Sequence, residues 1–240
     1  MRPSDFVRAA ALAIALGALS NARAEVGTVA AIEGESIRTA PNGQSLALRV
    51  GSQLGLGDML EVKSGNLKIS LNDESELALA SGSLLRIDEA QFEQLEHRRF
   101  SAWLFVGSLW SRVVKARASS DGKFEVVTDR MVAGARGTTF RVDTATNAAN
   151  DKEALVHVIQ GRVRVAERGA RNGESGKIAR PKATELTAGE TMRATKEGMQ
   201  REQGAPPANE SFERFIHSHE RAAPDLNDRP RKREKAPRRR

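Results

Sequence analysis

The chain has 240 residues, with 38 Lys and Arg, 31 Asp and Glu, and no cysteine. Without cysteine there can be no disulfide bond, no thiolate zinc site and no lipoprotein anchor. The net charge of +7 lies at the two ends: residues 1–24 contribute +2 and residues 221–240 contribute +6, which leaves −1 for residues 25–220. Because the body of the chain is nearly neutral, we expect no nucleic-acid partner.

Residues 1–24 predict a cleaved signal peptide. Two arginines precede an apolar run, Ala9–Leu19, which is followed by an A-x-A sequence that ends at Ala24. This order of a positive start, a short apolar stretch and a small-residue site is typical of secretory leaders. The run has eleven residues, and a membrane-spanning helix needs roughly 20. We therefore expect cleavage between Ala24 and Glu25 and a periplasmic or secreted protein without a later transmembrane segment.

Residues 25–195 show the two-residue alternation of β-strands. Apolar and polar residues alternate in NLKISLN (66–72), TTFRVD (138–143) and GRVRVAE (161–167). Such alternation gives a strand one buried face and one solvated face. Clusters of Gly, Asn, Asp and Ser separate the runs and predict tight turns. The prediction is a single all-β domain of many short strands, either solenoid-like (β-helix-like) or a sandwich.

The regular pattern ends after residue 195. Residues 196–221 predict a linker that contains GAPPANE and one short helix in SFERFIHSHER, where three apolar residues share a face. Residues 222–240 are charged, contain prolines and lack aromatic residues, so they predict a disordered basic tail. The tail offers candidate contacts to an anionic membrane surface or a cell-wall polymer: Arg231, Lys232, Arg233, Arg238, Arg239 and Arg240.

The segment VVTDRMVAGARGTTFRVD, residues 126–143, is the most motif-like part of the chain. A phosphate-binding loop needs Gly-Lys-Ser/Thr between a strand and a helix, whereas here Arg136 replaces the lysine and a strand follows. No base neighbours Thr138 in the sequence, so a nucleophile is not indicated. Gly134 and Gly137 instead predict a corner between two strands. We expect Arg136 to fold inward there and to bond backbone carbonyls or a carboxylate.

The histidines and acidic pairs do not assemble into a metal or catalytic site. His157 alternates with valines and is predicted to face solvent from a strand. His217 and His219 are two residues apart, a spacing that points them to different faces of a helix. Asp73 and Glu74 stand beside a predicted turn, where solvated charge is expected. We predict no enzyme activity, no metal and no cofactor.

Trp103 and Trp110 belong to the only aromatic cluster, AWLFVGSLWSRV (102–113). This segment is apolar enough to be a buried strand or hairpin, and core packing is the favoured role of its tryptophans. The alternative is an exposed platform on which a sugar or a hydrophobic partner stacks. Both tryptophans are therefore candidate surface contacts.

Residues 124–142, FEVVTDRMVAGARGTTFRV, resemble the central motif of the FecR-type domain, in which V-x-T-P is followed by A-G-V-R-G-T-E-F-x-V. VHVIQGRVRV (156–165) is similar to the family's V-x-V-x-x-G-x-V-x-V, and LTAGE (186–190) to its closing turn. In the upstream D-G-S segment, Glu74 stands where glycine is usual. The resemblance covers roughly residues 55–192. The matching motif residues are Ala133, Gly134, Arg136, Gly137, Thr138, Phe140 and Gly161.

This resemblance implies a β-rich, solenoid-like exported domain without an enzyme site. In the namesake regulators the domain hangs below a membrane helix and relays a signal from an outer-membrane receptor to a sigma factor. The sequence shows no membrane helix after the leader, so we expect the free-standing exported type and do not transfer the sigma-factor role. We predict a non-catalytic scaffold or sensor that binds an envelope protein. The alternative is a module that binds cell-wall glycan (peptidoglycan).

Overall fold

A computed structural model of the protein describes residues 25–92, 98–115, 122–146, 150–168, 183–207 and 209–219. These residues form 17 strands and one helix, which confirms the all-β prediction. The strands are β1 Glu25–Glu33, β2 Ser36–Thr39, β3 Ser45–Ala47, β4 Gln53–Gly55, β5 Met59–Val62, β6 Asn66–Leu71, β7 Glu76–Ala80, β8 Leu84–Gln91, β9 Arg99–Arg112, β10 Lys123–Val127, β11 Met131–Ala135, β12 Thr139–Thr146, β13 Lys152–Gln160, β14 Arg162–Glu167, β15 Thr184–Thr187, β16 Glu190–Thr195 and β17 Gly198–Gln203, and the helix is α1, Glu210–Ser218.

The strands form one connected, open sheet that folds into two layers. Sheet A contains β4, β1, β6, β7, the second half of β9, β12, β13, β16 and β17, in that order. Sheet B contains β3, β2, β5, β8, the first half of β9, β10, β11, β14 and β15. Among these pairs β9–β10 is parallel and the others are antiparallel. The single core between the layers draws its side chains from both sheets, so the fold combines features of a sandwich and a solenoid.

The chain alternates between the layers by hairpins and corners. The β6–β7 and β12–β13 hairpins lie in sheet A, and the β10–β11 and β14–β15 pairs lie in sheet B. Between hairpins the chain must cross to the other layer, as it does between β11 and β12 and between β13 and β14. Inward apolar side chains then meet across the core: the rings of Phe124 on β10 and Phe140 on β12 pack edge to face with centroids 6.4 Å apart.

Strand β9 belongs to both layers because it bends at Gly107. Before the bend Ala102 and Leu104 face the core, and after it Leu109 does, so the inward positions change from even to odd numbers. Gly107 has φ +98°, and a Cβ there would lie 2.3 Å from the Ser83 hydroxyl oxygen. Glycine is therefore the residue that this close approach requires.

The turn between β6 and β7 corrects one prediction and explains one departure from the family motif. Asp73 was expected to be solvated, but it is buried and bonds the Arg98 guanidinium at 2.7 Å. It also accepts a hydrogen bond from the Ser75 backbone N–H at 3.0 Å. Glu74 has φ +68°, the left-handed conformation that favours glycine. The positive φ at this position explains why glycine is usual in the D-G-S segment of the family, and in this chain Glu74 adopts the same backbone conformation.

The ordered part of the chain extends beyond residue 195. Strand β17 pairs with β16 in a region that was predicted to be a linker. Helix α1 follows; the Asn209 side chain caps it by accepting from the Phe212 backbone N–H at 3.2 Å. Phe212 and Ile216 pack on the outer face of sheet A, so the helix is part of the folded body.

The predicted signal peptide (1–24) and basic tail (222–240) lie outside the described residues. Within the described residues, no helix is long and apolar enough to cross a membrane.

Candidate functional site

The Arg-Gly-Thr motif forms a corner that carries the chain from sheet B to sheet A. Strand β11 ends at Ala135 and β12 begins at Thr139, so the corner consists of Arg136, Gly137 and Thr138. Gly137 has φ +62°, and a Cβ there would lie 2.9 Å from the Lys115 Cβ. Both the backbone conformation and this contact disfavour any larger residue.

A second glycine corner, between β13 and β14, stacks directly on the first. Gly161 has φ +88°, and a Cβ there would lie 3.0 Å from both the Gly137 carbonyl oxygen and the Thr138 hydroxyl oxygen. The Thr138 hydroxyl, in a residue only 2% exposed, donates to the Arg162 carbonyl at 2.7 Å and accepts from the Arg162 N–H at 3.3 Å. Thr138 thus joins the two corners, which explains why glycine and threonine stand together in the motif.

Two motif residues occupy positions other than those predicted. Arg136 was expected to be at least partly buried, but it is exposed; its guanidinium donates to the Gly122 carbonyl at 3.0 Å. Gly134 was expected at the corner, but it lies within β11. Its φ is not positive, and the nearest atom to a Cβ there would be the Arg164 carbonyl oxygen at 3.7 Å, an ordinary contact. Neither backbone conformation nor packing requires glycine at position 134.

Gly134 lies in an open groove on the outer face of sheet B. The groove has a volume of about 770 Å³ and runs across β10, β11, β14 and β15 next to the corner. We call it the basic groove because its lining includes five cationic side chains and two carboxylates. They are Lys115, Lys123, Arg136, Arg162 and Arg164, with Glu125 and Glu185.

The strand register arranges the basic groove in three rows. At the corner end, the cationic side chains of Lys123, Arg136 and Arg162 lie together. In the middle, Glu125, Gly134, Arg164 and Glu185 are successive cross-strand partners. At the far end, Val132 and Ala166 are partners and form an apolar row, which Val127 on β10 continues outside the groove lining. The groove is therefore cationic at one end and apolar at the other.

The carboxylates of the groove are already paired. Glu125 lies 3.0 Å from the Lys123 ammonium, and Glu185 lies 3.6 Å from the Arg162 guanidinium. Partial burial alone would lower the pKa of Lys123, but the hydrogen bond and the charge of Glu125, helped by Glu89, outweigh it and raise that pKa. Lys115 and Arg164 are exposed and form no ion pair with another described residue. The groove thus holds more positive charge than its own acids balance.

Residues 58–164 match the family model described as FecR protein. This match agrees with the FecR-type resemblance of the Arg-Gly-Thr motif. No curated protein matches the chain.

Two crystal structures of a candidate anti-sigma factor from Parabacteroides distasonis resemble the structure at low identity. The identities are 19% and 18%, and the TM-scores are 0.44 and 0.43. Each alignment covers 61% of this chain and 59% of the other. The chain therefore aligns with about three fifths of those proteins.

Trp103 and Trp110 are both covered by other side chains. Trp110 is 4% exposed and lies beneath helix α1 against Phe212 and Ile216, so it is not a surface contact. Trp103 is half-buried on the outer face of sheet B, where the Arg168 guanidinium lies 4.0 Å from its ring centroid. The core role predicted for these residues therefore fits Trp110 better than Trp103.

A smaller cavity of about 400 Å³ lies between α1 and the outer face of sheet A. Arg141 crosses it, 2.9 Å from Asp143 and 3.5 Å from Glu213 on the helix. His157 was predicted to face solvent but is half-buried here, with Nδ1 2.9 Å from the Thr191 hydroxyl. Because that hydroxyl donates to the Gly204 carbonyl, His157 Nδ1 is the donor.

The environment of His157 disfavours its charged form. Burial and then the neighbouring Arg141 charge lower the pKa of His157, although Asp143 and Glu213 oppose them. Among the described residues no three histidines or acids come close enough together to hold a metal ion.

Most of the basic groove could not be predicted from the sequence. Lys115, Lys123, Arg162 and Arg164 come from three separate segments, and their meeting depends on strand order. The alternation in GRVRVAE did place Arg162 and Arg164 on the solvated face, which was the available signal.

Proposed function

We propose that this chain is a non-catalytic, exported envelope protein whose FecR domain is a scaffold or sensor that binds a protein partner at the basic groove. The observation that carries this proposal is the difference between the two outer faces. Helix α1 covers part of the outer face of sheet A. The outer face of sheet B has an open groove, built on the family motif, with unbalanced positive charge.

The residue chemistry of the groove supports binding rather than catalysis. Its two carboxylates are paired with cations, and its remaining polar side chains are Lys and Arg. Cationic groups of this kind recognise anions and do not act as general bases. The leader pattern of residues 1–24 supports export.

Site-specific crosslinking in the native envelope tests the proposal. A photoreactive residue replaces Ala166 on the groove floor, and a control replaces Gln200, which is exposed on β17 of sheet A. We expect a discrete protein adduct from position 166 that is absent from position 200. Equal adducts from both positions, or none from position 166, would contradict a partner at the groove.

Export is tested separately by mass spectrometry of the chain recovered from fractionated cells. We expect a mature N-terminus at Glu25 in the periplasmic or secreted fraction. A cytoplasmic chain that retains Met1 would contradict export.

A glycan-binding function finds less support in the structure. A stacking platform needs an open aromatic face, whereas Trp110 lies under α1 and Arg168 covers Trp103. We therefore propose the protein partner alone.

A further inference from the structure

We propose that the basic groove binds an acidic, extended segment of the partner protein. Carboxylates of that segment occupy the corner end, and small apolar side chains occupy the other end. This inference rests on the proposed function, because it specifies the chemistry of the partner at the same surface.

The groove has an excess of positive charge. Three guanidinium and two ammonium groups line one cavity, against two carboxylates. Residues 25–220 carry a net charge of −1, so this excess of cations is local and not a property of the whole body. Like charges brought together on one surface repel, and a bound anion relieves the repulsion. Arginine suits this role because its planar group donates two parallel hydrogen bonds to one carboxylate.

Gly134 leaves a gap in the groove floor. Glycine weakens a strand because it has no side chain to pack, and here no backbone angle or close contact requires it. The missing side chain leaves an opening in the middle row, between Glu125 and Arg164. A ligand main chain or small side chain can enter that opening and lie close to the sheet.

The end of the groove farthest from the corner is apolar. Val132 and Ala166 line it, and Val127 on β10 continues the same row outside the groove lining. Small apolar side chains of a polypeptide can cover them, whereas a uniformly charged polymer would gain nothing there. Glu125 and Glu185 stand among the cations and would repel a dense polyanion such as polyphosphate. A peptide with a few spaced carboxylates fits this mixed charge better.

The strand pairing decides how the segment lies. Both edges of β11 and of β14 are already occupied by neighbouring strands. The ligand therefore cannot add as a new strand between them and must lie on the face, held by side chains. Three rows two residues apart span about 14 Å, which corresponds to roughly four extended residues.

Fluorescence anisotropy with the mature chain, residues 25–240, tests the inference. The probe is a labelled octapeptide of three glutamates followed by alternating alanine and valine, and the matched control peptide carries glutamine in place of glutamate. We expect the glutamate peptide to bind about tenfold or more tightly than the control peptide, a difference of about 1.4 kcal/mol.

Variants of the protein test whether the glutamate peptide binds at the basic groove. Arg164→Glu and Lys115→Glu are expected to weaken the glutamate peptide about tenfold or more. Arg49→Glu makes the same change of charge at an exposed position far from the groove lining and is expected to leave binding unchanged. Gly134→Leu fills the gap without altering charge and is expected to weaken binding as well. Thermal melting of each variant confirms that it is folded.

The outcomes separate the inference from the proposed function. Equal binding of polyphosphate and of the glutamate peptide, lost in the same variants, would make the groove a general polyanion site and overturn the inference. If the glutamate peptide does not bind but crosslinking at position 166 still captures a protein, the inference fails and the proposed function stands. If neither occurs, both fail.

Discussion

Thr138 and Arg136 are neighbours in the motif, yet the structure gives them opposite environments. Thr138 is buried, and its hydroxyl bonds both backbone groups of Arg162 across the two corners. Arg136 is exposed, and its guanidinium donates to the Gly122 carbonyl at the surface. We infer that Thr138 contributes more to the stability of the fold than Arg136 does.

This difference predicts that substitution of Thr138 destabilises the protein strongly, whereas substitution of Arg136 has little effect on its stability. Thr138→Val keeps the side-chain shape but leaves the buried Arg162 groups without their partner, so we expect a loss of about 1–3 kcal/mol in the free energy of unfolding. Arg136→Ala should change it by less than about 0.5 kcal/mol, as for an ordinary surface substitution. Urea denaturation of the two variants measures both values. A large loss for Arg136→Ala with none for Thr138→Val would reverse the assignment.

His157 predicts how stability responds to acid. Burial and the Arg141 charge lower its pKa in the folded chain below the ordinary value of about 6.5, which is the value expected in the unfolded chain. The unfolded chain therefore binds more protons as the pH falls below about 6.5, and stability decreases until the pH passes the folded pKa. The facing charged groups are Arg141, Asp143 and Glu213.

The effect is measured as the decrease of the urea unfolding midpoint of the wild type from pH 7.5 to pH 5.5. We expect His157→Gln, which can still bond Thr191, to reduce the loss of stability over this interval. His217→Gln is the control, because His217 is exposed on the helix. Identical pH profiles for the wild type and His157→Gln would contradict a role for His157.

For single residues, the sequence predicted whether a position lies in a turn or on a solvated strand face better than it predicted which residues are in contact. The glycine turn at Gly137 and the solvated face of β14 followed from local pattern. The burial of Asp73 did not, because its partner Arg98 is 25 residues away. The exposure of Arg136 could not be predicted either, since it depends on which carbonyls the stacked corners leave open.

Helix α1 is the element whose role changes most between sequence and structure. Its apolar face was visible in the spacing of Phe212, Phe215 and Ile216, but its docking site was not. That site is formed by Ala78, Ala80 and Trp110 on the outer face of sheet A. At its C-terminal end, the Lys68 ammonium donates to the His219 carbonyl. A cation there interacts favourably with the helix dipole.

Removal of α1 should therefore expose Trp110. The background is Trp103→Phe, so that Trp110 is the only tryptophan. Truncation after Gly204 is expected to shift the Trp110 emission to the red and to increase its quenching by acrylamide. Arg214→Ala, on the exposed face of the helix, is the control and should change neither signal. Unchanged quenching after truncation would show that α1 does not cover Trp110.

The order of strands could be predicted only in part. Alternation and turn residues indicated short strands, and the family resemblance indicated a solenoid-like arrangement. The bend of β9 at Gly107 and its membership of both layers depend on contacts with β7, β8, β10 and β12. No local pattern in AWLFVGSLWSRV carries that information.

At the scale of the whole molecule, the basic groove and the basic tail carry positive charge with different chemistry. The basic groove combines cations with carboxylates and an apolar row. The segment 229–240 has eight basic residues and one acidic residue. The basic groove is suited to a ligand with a defined arrangement of charged and apolar groups, and the tail is suited to any anionic surface.

The basic tail predicts salt-sensitive adhesion to anionic envelope surfaces, although residues 220–240 lie outside the described part of the chain. A polybasic segment gains about 1 kcal/mol per Lys or Arg near such a surface. Screening limits this attraction to about 8 Å at physiological ionic strength. We expect residues 25–240 to bind phosphatidylglycerol vesicles at low salt and to be released as salt is raised.

Truncation after Ala223 separates the tail from the folded body. We expect it to abolish vesicle binding while it leaves the melting temperature unchanged, because the described strands and helix end before this point. Arg164→Glu in the full mature chain is the matched control and should leave vesicle binding intact, since the groove does not require a membrane. If the truncated chain still binds vesicles and Arg164→Glu does not, adhesion belongs to the groove and the tail has no such role.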